Sequence, residues 1–182
     1  MNIESVAVNS TQLISESPYS QLDPLGLTPI PQDTRQRFLR FRLSGEDNTL
    51  LPLIDVVEIL QLTTADILPI PDVPSWLLGV CNWRGNMLWL TDVSRLMGGP
   101  SLWRQTPTLE YPTAVVVQSD SHSLGLVVEH VDDVELISPE TIFLEDTGSP
   151  ILAPFIVGHL PDRGGTVLDV ARLLKHSFRT LS

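Results

Sequence analysis

The apolar and polar residues of this chain alternate in the way that is typical of short strands. Residues 37–43 nearly alternate between polar and apolar side chains, as a half-buried strand does. A second β-type run covers residues 50–60. Its pattern predicts four inward-facing side chains: Leu51, Leu53, Val56 and Ile59. Further runs rich in β-branched residues at 113–118, 124–128 and 131–137 complete the pattern of a mainly β fold.

The most informative stretch lies between Gly79 and Val93, where two apolar runs flank the polar centre Arg84-Gly85-Asn86. Glycine followed by asparagine predicts a tight hairpin turn, because both residues tolerate positive φ. The continuous apolar run 87–90 predicts a strand buried on both faces. Two interpretations of the tip remain open. The arginine is simply solvated while Trp83 packs inward, or the pair anchors a protein–protein contact.

The two halves of the chain repeat a common pattern. The segment 92–97, which starts with Asp92, matches 169–174, which starts with Asp169, and both predict a short helix capped by aspartate. Gly79 and Gly158 each precede a strand, a turn that contains Arg-Gly, and a second strand. The four inward positions also match Leu126, Val128, Val131 and Val134 without a gap. The repeat predicts two similar small β-subdomains, which pack together because each alone buries little apolar surface.

Composition limits the classes of function. The chain has 182 residues, of which 42% are hydrophobic, and 22 acidic against 11 basic residues give a net charge of −11. Phosphate backbones and anionic lipids repel such a chain, so nucleic-acid binding is excluded and a membrane surface is disfavoured. The sequence shows neither an apolar run of membrane-spanning length nor a secretory signal. We therefore expect a cytoplasmic protein without direct membrane insertion.

Residues 1–35 predict a disordered N-terminal tail. They are rich in serine, threonine, glutamine and asparagine, and they contain four prolines. Such a segment buries too little apolar surface to offset the entropy that ordering would cost.

The sequence contains no constellation of residues that predicts catalysis. Four histidines are scattered without metal-ligand spacing, and both a nucleophile-elbow motif and a glycine-rich phosphate loop are missing. The single cysteine, Cys81, lies in an apolar strand and is interpreted as a small core residue. These features predict no catalytic residue, no metal and no cofactor. A small cytoplasmic β-barrel enzyme remains the alternative from the residues alone.

The central motif resembles the signature of CheW-type coupling proteins. The proline-rich segment 68–74, the stretch 79–85 and the pair Asp92-Val93 carry the resemblance, and the run 125–134 resembles a second family segment. The resemblance covers about residues 36–176. It predicts a CheW-like domain at 36–178, with intertwined subdomains at roughly 45–100 and 113–160 that exchange their end segments.

The resemblance implies both a fold and a function. The fold is two pseudo-symmetric, five-stranded, SH3-like β-barrels with short helices and a hydrophobic groove between them. The function is a non-catalytic adaptor that couples a methyl-accepting receptor to a CheA-type histidine kinase. On the matching positions, the receptor-contacting residues are Asn82, Trp83, Arg84 and Gly85. Kinase docking in the family uses a face of one barrel, for which this sequence shows no motif.

A narrower resemblance concerns the motif 82–85 followed by Met87-Leu88-Trp89. This form is similar to cyanobacterial PixI-like members of the family, which implies a role in phototaxis or type IV pilus motility. Trp83 and Trp89 stand where the family usually has leucine and proline, and Glu129 stands where aspartate is common. Larger rings at the hairpin imply a differently shaped partner surface. A general protein-interaction module unrelated to motility is the remaining alternative.

Overall fold

A computed structural model describes residues 33–43, 48–102, 112–144, 153–160 and 164–181. The predicted tail lies outside these residues, except for its last three positions. Arg163 of the predicted Arg-Gly turn in the second half also lies outside them. Within the described ranges, no helix combines the length and the apolar character that crossing a membrane would need.

The described part of the chain contains ten strands and two α-helices. The first half contributes β1 (Gln36–Arg42), β2 (Asn48–Pro52), β3 (Val56–Gln61), β4 (Leu77–Trp83), β5 (Asn86–Asp92) and α1 (Val93–Leu96). The second half contributes β6 (Thr113–Ser119), β7 (His122–Val128), β8 (His130–Ile137), β9 (Ile156–Leu160), β10 (Gly165–Leu168) and α2 (Val170–Leu181). Four short 3₁₀ turns connect these elements: Leu53–Asp55, Thr64–Asp66, Pro139–Thr141 and Ala153–Phe155.

The strands form two five-stranded sheets with the same internal order. The first sheet runs β8-β1-β2-β10-β9 and the second runs β3-β6-β7-β5-β4. In each sheet one pair is parallel, β2 with β10 and β5 with β7, and the other pairs are antiparallel. This arrangement confirms the predicted fold of two similar five-stranded β-subdomains.

The sheets do not correspond to the two halves of the sequence. Each sheet combines the first two strands of one half with the last three strands of the other. The chain changes sheets at Leu53–Asp55, between β2 and β3, and again at Glu129, between β7 and β8. The predicted subdomain boundaries at 45–100 and 113–160 remain a prediction, while the sheets themselves take strands from both ranges.

Apolar side chains of both sheets meet in one large buried group, which we call the central cluster. Its strand members include Leu39, Phe41, Leu51, Val115, Val117, Leu124 and Leu126, and Val170, Leu173 and Leu174 of α2 join them. Each sheet also has a core of its own, around Phe38 and Leu50 in the first and around Leu88, Leu90 and Val116 in the second. Because successive strand residues face opposite sides, the middle strands are covered on both faces.

The run that the sequence predicted as one strand, 50–60, is broken at the first change of sheet. Leu51 is fully buried as predicted, and Leu53 and Val56 are partly buried against the central cluster. Ile59, however, is 46% exposed, so its inward prediction is wrong. The 3₁₀ turn after Pro52 shifts the alternation, because the strand that follows belongs to a different sheet.

Both predicted helices begin at an aspartate cap. The Asp92 carboxylate accepts from the Arg95 amide at 3.0 Å, and the Asp169 carboxylate accepts from the Arg172 amide at 2.9 Å. These bonds satisfy backbone donors that a first turn leaves unpaired. The second helix extends to residue 181, seven residues beyond the predicted 174.

Two glycines allow equivalent backbone contacts in the two sheets. The segment after β3 bridges to β4 through Leu68 and Val80, and the segment after β8 bridges to β9 through Phe143 and His159. A Cβ atom at Gly79 would collide with the carbonyl oxygen of Leu68, and one at Gly158 would lie 2.7 Å from that of Phe143. Glycine at these positions lets each sheet curl closed.

We expect Leu90→Ala to lower the free energy of unfolding by about 2–5 kcal/mol, because the side chain is fully buried in the core of the second sheet. Chemical denaturation monitored by circular dichroism measures this loss. Met87→Ala on the same strand is the control, since Met87 is 65% exposed and its truncation should change stability by less than about 0.5 kcal/mol. Equal losses for the two variants would contradict the assigned core.

Gly79→Ala should destabilise the protein more than Gly85→Ala does. Both residues have positive φ, 138° and 81°, so both substitutions carry backbone strain, but only Gly79 has an obstructing carbonyl. Overpacking of this kind adds about 1–3 kcal/mol. Thermal unfolding of both variants measures the difference, and similar melting temperatures would refute the close approach at Leu68.

Candidate functional site: the β4–β5 hairpin tip

The turn between β4 and β5 consists of Arg84 and Gly85. Trp83 pairs with Asn86 across the hairpin, and the two residues between them have φ of 53° and 81°. The prediction of a turn at Gly85-Asn86 is therefore displaced by one residue, since Asn86 is already the first residue of β5. Positive φ at both central positions matches the twist of the flanking strands.

Asn82 stabilises this turn from the preceding strand. Its side-chain Oδ1 accepts a hydrogen bond from the Gly85 amide at 3.0 Å. Asparagine side chains commonly bond to a backbone group near them in this manner, and the bond offsets part of the strain of an arginine with positive φ. Asn82 thus shapes the tip through the backbone, while its own position remains exposed.

The strand after the turn is buried on both faces over most, but not all, of the predicted run. Leu88 and Leu90 pack into the core of the second sheet, and Trp89 is partly buried against the central cluster. Met87 is 65% exposed, so the prediction of burial on both faces is wrong at that residue. This exposed methionine is the second residue of β5 and lies next to the turn.

A carboxylate from β3, Glu58, organises the hairpin tip. Its Oε2 accepts from Trp83 Nε1 at 3.0 Å and from Arg84 Nη2 at 2.8 Å. The Arg84 guanidinium carbon also lies 5.1 Å from the centre of the Trp83 ring, within reach of a cation–π interaction. We call Glu58, Asn82, Trp83, Arg84 and Gly85 the hairpin network.

The local sequence pattern does not identify Glu58 as a member of the site. It lies 25 residues before Trp83, on the opposite outer strand of the second sheet, and only the curling of that sheet brings the two together. The available signal was its position in β3, where it shares the more buried side of the strand with Val56 and Leu60. A carboxylate on that side of a strand needs a donor, but the sequence does not indicate which one.

The hairpin network leaves the cation accessible. The Arg84 side chain is 62% exposed and that of Glu58 is 34% exposed. A guanidinium has five N–H donors, and the bond to Glu58 uses the Nη2 group alone. Arg84 is therefore oriented by Glu58 and Trp83 and retains donors for a carboxylate or carbonyl of a partner. The structure supports the inward packing of Trp83 that the first interpretation predicts, but Arg84 is not simply solvated, because it is bonded to Glu58. The protein–protein contact of the second interpretation stays a prediction.

The network holds Glu58 in its ionised form. The hydrogen bond from Trp83, followed by the charge and hydrogen bond of Arg84, lowers the pKa of Glu58, against a smaller opposing effect of burial. A lowered pKa means that the contribution of these interactions to stability is complete above the unfolded-state pKa. It is lost as the pH falls through the lower folded-state pKa.

Within the described part of the chain, the other residues that carry chemistry in principle are not assembled into a site. Cys81 is buried in the core of the second sheet as predicted, and burial raises the pKa of its thiol. Among the residues that the structure describes, no three histidine, cysteine or carboxylate side chains are grouped closely enough to hold a metal ion.

Comparison with known proteins places the chain in a family. The family model of the CheW-like domain matches residues 37–178, which include all but the first residue of the two sheets and most of α2. This chain belongs to the CheW-like domain family. The membership confirms the resemblance drawn from the central motif, and it confirms that the chain is not an enzyme.

Two relatives are chemotaxis proteins named CheW. The one from Rhizobium meliloti is 31% identical over 107 residues, which cover 59% of this chain and 64% of that protein. The one from Helicobacter pylori is 26% identical over 156 residues, which cover 81% of this chain and 88% of that protein. The chain thus spans just under two thirds of the first relative and most of the second.

The fold matches a solved structure of the same family. The crystal structure of the scaffolding protein TtCheW from Thermoanaerobacter tengcongensis superposes with a TM-score of 0.65 at 21% identity. The match covers 75% of this chain and 90% of that one. At this identity the likeness establishes the fold of two β-subdomains.

We expect the indole N–H signal of Trp83 in an NMR pH titration to follow the ionisation of Glu58. Its midpoint should lie below the ordinary glutamate value of 4.5, because Trp83 and Arg84 stabilise the carboxylate. In Glu58→Gln the acid transition of this signal should disappear, since glutamine accepts a hydrogen bond but does not titrate. A midpoint at or above 4.5, or an unchanged transition in the variant, would contradict the network.

Proposed function

We propose that this protein is a non-catalytic adaptor of a chemotaxis-type signalling array. It couples a methyl-accepting receptor to a CheA-type histidine kinase by binding both. Membership of the CheW-like domain family supports this role, and the exposed, pre-oriented Arg84 at the hairpin tip is the observation that carries it. Two modest contacts on one rigid chain raise the local concentration of each partner for the other without any chemical step.

We assign the receptor contact to the hairpin tip at Asn82, Trp83, Arg84 and Gly85. Arginine and tryptophan are the residues most often found at the energetic centres of protein interfaces. Here the guanidinium is held against the ring and bonded to Glu58, so binding freezes little additional side-chain freedom. A receptor carboxylate or backbone carbonyl would accept from the remaining N–H groups, and the exposed Met87 would extend the contact with apolar surface.

We further propose that the array controls phototaxis or type IV pilus motility. The support is the motif of residues 82–85 with the tryptophan at 89, which is similar to PixI-like members of the family. Trp83 gives the tip a larger, flatter surface than leucine would, and its indole N–H is already occupied by Glu58. A receptor that fits this tip must therefore offer an apolar or aromatic surface rather than an acceptor for that N–H.

Arg84→Glu should weaken binding to the cytoplasmic tip fragment of the cognate receptor by at least about tenfold, while the melting temperature stays nearly unchanged. The reversal removes the donors and places a second carboxylate beside Glu58, at an exposed position where the loss of one ion pair costs little stability. Calorimetric titration and thermal unfolding measure the two effects.

Arg95→Glu is the matched control, because it reverses the charge of another exposed arginine, in α1. It should leave receptor binding within about twofold of wild type. Unfolding of the Arg84 variant would make that residue structural and refute the assigned site. Retention of receptor binding by a folded Arg84 variant would also refute the hairpin tip as the receptor contact. Failure of the wild type to co-purify with both receptor and histidine kinase would favour an interaction module outside motility.

A further inference from the structure

A groove lies between the C-terminal helix and the turn that joins β6 to β7. It has a volume of about 410 Å³, within the range of ligand-binding pockets. We call it the helix groove. Its floor is formed by Ala171, Leu174 and Phe178 of α2, and its opposite wall by the β6–β7 turn. The floor residues are spaced as i, i+3 and i+7, so they share one side of the helix.

The floor of the helix groove is continuous with the central cluster. Leu174 belongs to that cluster, and Phe178 packs against it while its ring lies 4.6 Å from the ring of His122. Ala171 is exposed and small, so it leaves room above the helix rather than filling it. Leu174 is 3% exposed, so Ala171 and the half-buried Phe178 form the accessible part of this apolar floor.

The helix side of the groove is basic. Lys175 and Arg179 lie four residues apart on α2, both are exposed, and both line the groove. Neither forms an ion pair with any carboxylate among the described residues. Lys175 is also the only lysine of the chain, which has a net charge of −11. Two cations beside an apolar floor, with no ion pair in the described ranges, contrast with this acidic background.

The turn side of the groove has the opposite charge. Asp120, with φ of 54°, lines it from the tip of the β6–β7 turn, and His122 lies beside it. A ligand that places anionic groups towards Asp120 would be repelled, whereas one that places them towards α2 would meet both cations. The groove thus orients an acidic ligand as well as attracting it.

We propose that the helix groove binds an acidic amphipathic helix of a partner protein. Apolar side chains of that helix would pack over Ala171 and the half-buried ring of Phe178, with Leu174 already buried beneath them, and flanking carboxylates would pair with Lys175 and Arg179. A floor with helical spacing is the ridge against which a second helix packs. The proposal goes beyond the adaptor role, because the helix groove shares no residue with the hairpin network.

The test uses a designed helical peptide with leucine on one face and glutamate on its flanks. Reductive ¹³C-methylation labels Lys175 and the N-terminal amine of the full chain, which gives a single lysine side-chain NMR signal. Adding the acidic peptide should shift this signal, and the shift should weaken as salt is raised. The same peptide with lysine in place of glutamate should leave the signal unmoved.

Affinities of variants then locate the contact. Lys175→Gln combined with Arg179→Gln should weaken peptide binding by about tenfold, as expected for the loss of two charge pairs at a partly apolar surface. Gln61→Glu is the control, because it makes the net charge more negative by one, as each of the two glutamine substitutions does. Gln61 is exposed on β3 and lies opposite the start of β6, whereas the groove lies at the end of β6. The Gln61→Glu variant should bind as wild type does.

Three results would overturn the proposal. The first is an unmoved Lys175 signal with a folded protein, and the second is equal binding of the acidic and basic peptides. The third is equal weakening by Gln61→Glu and by the double glutamine variant. Two further measurements distinguish this proposal from the proposed adaptor role. Arg84→Glu should leave the affinity for the peptide unchanged, and the double glutamine variant should leave the affinity for the receptor fragment unchanged.

Discussion

The central cluster is the interaction on which the rest of the structure depends. Its members come from both sheets and from the C-terminal helix, so neither sheet can bury its inner face without the other. Leu39 and Leu51 of the first sheet and Val115 and Leu126 of the second are at most 2% exposed. A subdomain of about 70 residues would bury little alone. Each sheet also contains strands from both halves of the sequence, so neither half can form a complete sheet without the other.

The same constraint explains how the hairpin network is held in place. The second sheet is fixed on one side by the central cluster and filled on the other by Leu88, Leu90 and Val116. Its curl, which the bridge between Leu68 and Val80 helps to close, carries Glu58 to Trp83 across 25 residues of sequence. The tip is thus held by a carboxylate from a distant strand. Rigid support of this kind suits a surface that recognises a partner without performing chemistry.

The hairpin network and the helix groove differ in how they use charge. In the network, Arg84 is already bonded to Glu58, so the proposed receptor contact would add to an existing ion pair. In the helix groove, Lys175 and Arg179 make no ion pair within the described residues and lie beside an apolar floor. The hairpin network therefore suits recognition by the shape and orientation of a partner surface. The helix groove suits electrostatic attraction of an acidic segment. A small adaptor gains from such separate surfaces, because different partners can then bind at the same time.

The sequence by itself determined the elements whose signals are local: the alternating strands, the aspartate caps of both helices, the internal repeat, the buried Cys81 and the hairpin. The tertiary structure decided the rest. The pairing of β2 with β10 and of β7 with β5 depends on contacts between residues that are distant in sequence. No local pattern indicates which strands of the other half a given strand will pair with. The inward prediction for Ile59 fails because the change of sheet after Pro52 resets the alternation of inward and outward side chains. Glu58 is not predictable because only closure of the sheet brings its carboxylate to its partner, Trp83. Periodicity specifies which face of a strand is apolar, whereas only packing specifies what covers it.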